Sequence, residues 1–423
     1  MQSLIILISL AFVLMAYVFI SRREGNWVNI LTPFLLFSVP GWYVLEFIYG
    51  SVFGYEASVY AYFYCYLTYA LGVGATVAGY IAMPARPLAI FVKVPRIRIP
   101  GVPFLFLAFA VLLYAPILIK FPGLLVSPRQ IYELTRSGFG LQFFLSAFAV
   151  YIGFIFLLFS PRKNKVVSAI FGLVSLIVLY LHGSKGQLLN WFLVALYFFV
   201  FVAGKHFDFK RIVGLAMGAI CLISSLFYIT SYGSEVSDLI LDMANYAEYT
   251  RNAAMIIDDQ TLAPQMGRLA AESKLYIMVP RVLFPDKPKD YGGFWLVKRY
   301  YPDKYELDAG APDFGLGFLY ADFGAFAIVY YCIGSLLVGV SMKVLVTRLR
   351  RRPDAGTFLL LLVFLDVGVI PTGAGGLPLI LYYALAHLAN SLSPQLRARP
   401  LSSNRLAQSG GEKEEAGDAG IVA

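Results

Sequence analysis

Charge is scarce in this chain: only 14% of its 423 residues are Asp, Glu, Lys or Arg, against about a quarter in a soluble domain. Histidine is scarcer still, with three residues, His182, His206 and His387, too scattered to suggest a metal site. The three cysteines, Cys65, Cys221 and Cys332, lie far apart, which excludes a disulfide framework and metal-ligand spacing. They read as small apolar fillers. The sequence has no Gly-Lys-Ser/Thr phosphate loop, no His-Glu-x-x-His and no dinucleotide fingerprint. A serine nucleophile motif is also missing. Period-2 alternation is absent as well, which excludes a membrane barrel.

What fills the space is apolar: 59% of the residues. No single soluble core hides that much, but lipid solvates it. A crossing needs about 20 predominantly apolar residues, and its backbone must be satisfied internally, so such runs are helices. The expected fold class is an all-α polytopic membrane protein with about eleven transmembrane helices. They are read at roughly 3–20, 28–49, 58–83, 102–119, 141–160, 166–181, 187–204, 212–230, 314–342, 357–371 and 377–390. The last two are short and flank the turn Gly373-Ala374-Gly375-Gly376, so a re-entrant pair is the alternative. Residues 1–390 form one transmembrane domain that includes a long loop over 231–312, and 391–423 read as a disordered cytoplasmic tail rich in Ser, Gly and charge. No internal repeat is visible.

The first apolar run has no positive charge before it and no small-residue cleavage pattern, so it is not a signal peptide. Arg22 and Arg23 follow it, which puts the N-terminus outside. Alternate loops and the C-terminal tail are then cytoplasmic, and they hold 21 of the 34 basic residues. The net charge of +9 reflects those loops rather than affinity for nucleic acid.

The remaining basic residues occupy three outer loops. The first holds Lys120, Arg129 and Arg136, the second Lys185, and the long loop nine more. Long loops translocate regardless of charge, and this one also carries twelve acids. The loop around Lys185 is short, so that explanation fits it poorly. The other reading is an anionic ligand handled at the outer face. Within the spans, Glu46 and Asp366 break the apolar pattern and mark a possible cavity.

The long loop reads as folded. Leu239, Met243, Tyr246, Ala253 and Ile257 share a helical face across Asp238–Asp258, and a second helix is expected over Gly267–Val279. Pro280, Pro285 and Pro288 then stiffen an irregular path. Aromatics crowd Tyr291–Tyr305, including Phe294, Trp295, Tyr300 and Tyr301. Such rings suit a membrane–water interface, and they also suit stacking on sugar faces.

The turn Leu181-His182-Gly183-Ser184-Lys185-Gly186-Gln187 joins two apolar spans. Its glycines let backbone approach a ligand, and Lys185 places a cation at a helix N-terminus, where free N–H groups favour an anion. An ordinary glycine turn with a snorkelling lysine is the alternative.

This Gly-Ser-Lys-Gly turn resembles the Gly-Ser-Arg-Gly type turn of the O-antigen polymerase and oligosaccharide repeat-unit polymerase family. Val279-Pro280-Arg281-Val282-Leu283-Phe284-Pro285-Asp286-Lys287-Pro288 is similar to a Pro-Arg-x-Leu-Trp-Pro-x-Lys-Pro stretch of these proteins. Gly310-Ala311-Pro312 and Gly317-Phe318-Leu319-Tyr320-Ala321-Asp322-Phe323-Gly324 follow as they do in the family. The resemblance runs from about residue 120 onward and is most specific in 279–324. Lys185 departs from the commoner arginine: it keeps the charge and loses the bidentate fork.

The resemblance implies a GT-C-like glycosyltransferase of the bacterial inner membrane, acting in lipopolysaccharide biosynthesis. Its substrates would be undecaprenyl-diphosphate-linked oligosaccharides at the periplasmic face, and undecaprenyl diphosphate would leave. No cofactor and no metal are expected. A flippase and a chain-length regulator are the implied protein partners. Arg281, Lys185, Arg251, Arg268 and Arg299 are the candidate catalytic cations, since preorganised charge stabilises a leaving diphosphate. Arg129, Arg136, His182, Asp313, Trp295 and Tyr300 are candidate substrate contacts. Arg251 could instead pair with Glu248 at i,i+3, and Arg268 with Glu272 at i,i+4. Asp313, Glu248, Asp322 and His182 are the candidate bases, with no preference among them, and Asp322 could simply cap a helix. Two other functions use the same membrane setting: an O-antigen ligase, and a lipid-linked glycan transporter. The lack of repeats weighs against the transporter.

Overall fold

The computed structural model describes residues 1–84, 99, 101–122, 139–160, 164–183, 185–230, 241, 243–245, 247–276, 279, 284–306, 312–367 and 377–392, and among these there is no strand. This is a helical, multi-pass membrane protein. Among the described residues, six helical segments are long and apolar enough to cross a membrane: Gln2–Glu24, Phe34–Phe53, Val59–Ala82, Val102–Lys120, Gly140–Phe159 and Leu316–Arg351. Shorter apolar helices are Lys165–Leu181, Gly186–Val202, Ala355–Phe364 and Leu379–Leu392.

Helix α1 (Gln2–Glu24) ends at Gly25, which takes the left-handed conformation that stops a helix cleanly. Glu24 then binds Arg350 at 2.7 Å and Lys343 at 3.6 Å, which ties this end to a helix late in the chain. The second span is not regular. Pro40 cannot donate its backbone hydrogen bond, and Phe34–Leu45 winds in wider π-type turns before α2 (Glu46–Phe53).

Helix α3 (Val59–Ala82) and α14 (Ala327–Arg351) make the closest helix contact. A Cβ on Gly79 would lie 2.2 Å from the Leu336 carbonyl oxygen, and one on Gly339 would lie 2.0 Å from that of Thr76. Only glycine permits this backbone approach, which is how helices associate where lipid supplies no hydrophobic drive. The sequence expects one helix over 314–342. The structure divides it into α13 (Leu316–Phe323) and α14, because Gly324 turns left-handed between them, and α14 runs on to Arg351.

The remaining helices before the long loop are α4 (Val102–Lys120), α5 (Gly140–Phe159), α6 (Lys165–Leu181), α7 (Lys185–Tyr197) and α8 (Phe209–Thr230). Residues 241 and 243–245 of the long loop are helical, and among its described residues the loop also holds α9 (Tyr249–Asp258), α10 (Arg268–Tyr276), α11 (Gly293–Tyr300) and α12 (Pro302–Glu306). They surround their own small core of Ile256, Leu269, Leu296, Val297, Phe314 and Ala321. The helix expected to run unbroken to Asp258 is interrupted at Ala247–Glu248. Ala253 and Ala254, on α9 after the break, are fully buried. The helices of the aromatic stretch, α11 and α12, have no counterpart in the sequence reading. The chain closes with α15 (Ala355–Phe364) and α16 (Leu377–Leu392).

Candidate active site

The folded loop is fastened to the membrane helices by acids that cap helix ends. Asp258, the last residue of α9, accepts from the backbone N–H of Ser58 at 2.6 Å and from its hydroxyl at 2.5 Å. Ser58 in turn caps α3 by accepting from the Ala61 N–H. Asp322 is fully buried, and its carboxylate accepts from the N–H groups of Gly267, Leu269 and Ala270. It therefore caps α10 from another helix and is occupied as a structural anion.

Four of the candidate cations lie in described helices. Arg251 does not pair with Glu248. It turns toward the membrane helices, where its Nε sits 3.4 Å from Glu46 Oε2. Its guanidinium lies 3.5 Å from the centroid of the Tyr49 ring, and Nη2 donates to the Ala244 carbonyl. Glu46 is 1% exposed, and Tyr62 donates its hydroxyl to the other carboxylate oxygen at 2.5 Å. Glu46 Oε2 and Arg251 Nε are both buried and form no hydrogen bond, so their contact is an ion pair by charge alone. The next residue, Asn252, extends the assembly. It donates to the Asp313 carbonyl at 3.0 Å and accepts from the Tyr301 hydroxyl at 2.6 Å.

Arg268 takes the i,i+4 alternative, 3.8 Å from Glu272, and its guanidinium stands 5.3 Å from the Trp295 ring centroid. The Arg268 side chain is half exposed, so this aromatic and this cation remain open together. Arg299 forks onto Asp259 at 3.2 and 2.8 Å, and Tyr300 donates to the same oxygen at 2.7 Å. The Thr261 hydroxyl, followed by Tyr300 and Arg299, holds the Asp259 carboxyl well below the usual carboxylate range. Arg299 and Tyr300 thus close a surface ion pair rather than the Arg251 assembly. Asp313 is exposed, with Oδ1 accepting from the Gly315 N–H.

The fourth cation, Lys185, opens α7, as its position at a helix N-terminus requires for anion binding. His182, just before it, is buried between the rings of Tyr114 and Phe143. Nδ1 is 2.6 Å from the Val178 carbonyl and Nε2 is 3.2 Å from that of Phe143. Burial pushes the imidazole pKa down to about 4. The ring braces the turn and is not offered to a ligand. Glu248 is half-buried beside the start of α9. Arg129, Arg136 and Arg281 lie outside the described residues.

Glu46, Tyr49, Tyr62 and Asn252 were missed as partners of the candidate cations. The one sequence signal was Glu46 itself, an acid within an apolar run.

Two curated proteins align with nearly the whole chain. The O-antigen polymerases of Salmonella typhimurium and Salmonella typhi are each 33% identical over 378 residues, covering 88% of this chain and 91% of theirs. The chain belongs to the O-antigen polymerase family. No family profile and no solved structure matches it. The extent of the alignment reaches well beyond the 279–324 stretch in which the resemblance was most specific. In this family member the described cations fall into two kinds. Arg251 is clamped at the junction with the membrane helices, while Arg268 beside Trp295 is open.

Proposed function

We propose that this chain polymerises undecaprenyl-diphosphate-linked oligosaccharide repeat units at the periplasmic face of the bacterial inner membrane. The observation that carries this reading is the match to O-antigen polymerases over 88% of the chain. The long loop supports it: Arg268 stands beside the Trp295 ring, a cation for a diphosphate next to an aromatic face for a sugar. A hydroxyl of one lipid-linked unit attacks the anomeric carbon of another chain, and undecaprenyl diphosphate leaves with the bonding electrons. Lys185, Arg281 and Arg268 stabilise the departing diphosphate, Arg251 holds the loop that carries Arg268 against the membrane helices, and Trp295 offers a face to a sugar ring. Arg129 and Arg136 are further substrate contacts in this reading, by the outer position their loop takes in the sequence. In this reading the chain crosses eleven times in a GT-C-like bundle, with its N-terminus outside and its tail in the cytoplasm, and these groups then share the periplasmic side.

Loss of the chain in its host is expected to leave surface glycans of a single repeat unit, because flipping and ligation continue. Long chains held on the lipid carrier would assign the chain as a ligase. Single repeats trapped inside the cell would assign it as a transporter. The orientation has its own test: in sealed cells a membrane-impermeant thiol reagent is expected to label Ser234→Cys and to spare Ser402→Cys. Labelling of Ser402→Cys would invert the topology.

A further inference from the structure

Residues of α5, α7, α15 and α16 line a small, partly open cleft of about 30 Å³, room for a hydroxyl group or a water. Its lining includes Phe148, Ile152, Val194, Leu359 and Tyr382, and Asp366 supplies the one charged side chain among the described lining residues. Asp366 is exposed on this cleft. Among the described residues no cation or hydrogen-bond donor meets its carboxylate. The described walls are otherwise apolar, and an ionisable side chain in an apolar span that makes no structural contact is a candidate for function.

The backbone makes the choice of residue more pointed. At the end of α15 the Asp366 N–H donates to the Val363 carbonyl and the Val367 N–H to that of Leu362. These two bonds define a Schellman ending, whose left-handed position usually belongs to glycine. Asp366 occupies that position at φ 55°. A side chain there is sterically unfavourable, although Asp tolerates it better than most. Strain kept at a residue whose side chain lines a cleft, with no partner, points from geometry to chemistry.

The cleft also adjoins the site already described. The Asp313 carboxylate is within electrostatic reach of Asp366, and the Asp313 carbonyl is held by Asn252, next to Arg251. Helix α10, which carries Arg268, packs on α16, which supplies Tyr382 to the lining. An acid therefore stands to one side of the cations that would hold the leaving diphosphate.

We propose that Asp366 is the general base of the transfer, an inference that rests on the polymerase reading. The acceptor hydroxyl enters the cleft and gives its proton to the Asp366 carboxylate. Its oxygen forms the bond to the anomeric carbon, and the bond from that carbon to the diphosphate oxygen breaks. The diphosphate keeps the electron pair, and the proton passes from Asp366 to water.

The left-handed backbone supplies the test. Asp366→Gly relieves the steric conflict, so it is expected to leave the thermal midpoint of the purified protein unchanged or raised. Asp366→Asn also accepts this conformation. Both are measured in lipid with undecaprenyl-diphosphate-linked repeat units, reading donor binding and rate of chain extension separately. The expected result is normal donor binding with extension slowed about 10²–10⁴-fold, the range general-base catalysis supplies. Asp366→Glu is expected to recover part of the rate. Extension at the wild-type rate in Asp366→Asn overturns the proposal, and so does a loss of donor binding that accounts for the whole defect. Wild-type protein that extends no chain refutes the polymerase reading itself.

Discussion

Alanine at Lys185 or at Arg281 is expected to lower chain extension on the order of 10²–10³-fold, the usual loss when one preorganised donor to a developing anion is removed. The expectation rests on a different observation for each residue. Lys185 opens α7, and a helix N-terminus favours an anion. Arg281 stands in the sequence between Pro280 and Pro285, residues that restrict a backbone. Charge accumulates on the diphosphate as the bond breaks, so the loss should fall on turnover more than on acceptor binding. Lys185→Arg is expected to retain activity, since it supplies the fork the family commonly uses. Protein abundance should stay near normal in all of these variants. Normal long-chain ladders in both alanine variants would remove these residues from the mechanism.

The second large effect concerns stability. Glu46→Ala would leave the Arg251 guanidinium without its anion, and Arg251→Ala would strand a carboxylate that is 1% exposed. Breaking one side of a buried pair commonly costs about 3–5 kcal/mol. Each single variant is therefore expected to show a much lower thermal midpoint in detergent and reduced abundance. Glu46→Gln should be milder, because an amide oxygen still accepts from Tyr62. The double alanine variant should be less damaged than the sum of the singles, which identifies the pair as one unit. Unchanged melting of both single variants would mean that Glu46 and Arg251 do not hold the loop to the bundle.

The contrast between these residues shows what the sequence can disclose. Arg268 and Glu272 are four apart on one helix, so their pairing could be read from spacing alone. Arg251 offered the same kind of local partner in Glu248, yet it pairs with Glu46, which belongs to the second span. No local rule finds that partner, because it depends on how α9 docks against the membrane helices. Asp322 illustrates the same limit: its candidacy as a base was visible, and its three backbone donors on a distant helix were not. The helical, multi-pass character was legible because lipid demands length and internal hydrogen bonding from each segment separately, while six of the eleven expected runs find a segment of spanning length among the described residues. Where a run contained Gly324 or Pro40, the structure departed from a plain helix, since those residues change the backbone locally whatever surrounds them. Asp366 stood out in the sequence only as an acid in an apolar span. Its left-handed backbone and open cleft are properties of the folded helix end.

The most direct measurement of the central claim uses the purified protein in lipid with a single substrate, the undecaprenyl-diphosphate-linked repeat unit. The account predicts that two such units yield one doubled glycan on the carrier and one released undecaprenyl diphosphate. It also predicts that the reaction persists in EDTA, because side-chain cations take the part a divalent ion would play. A protein that leaves the units single, or that extends them only when Mg²⁺ or Mn²⁺ is restored, would contradict it.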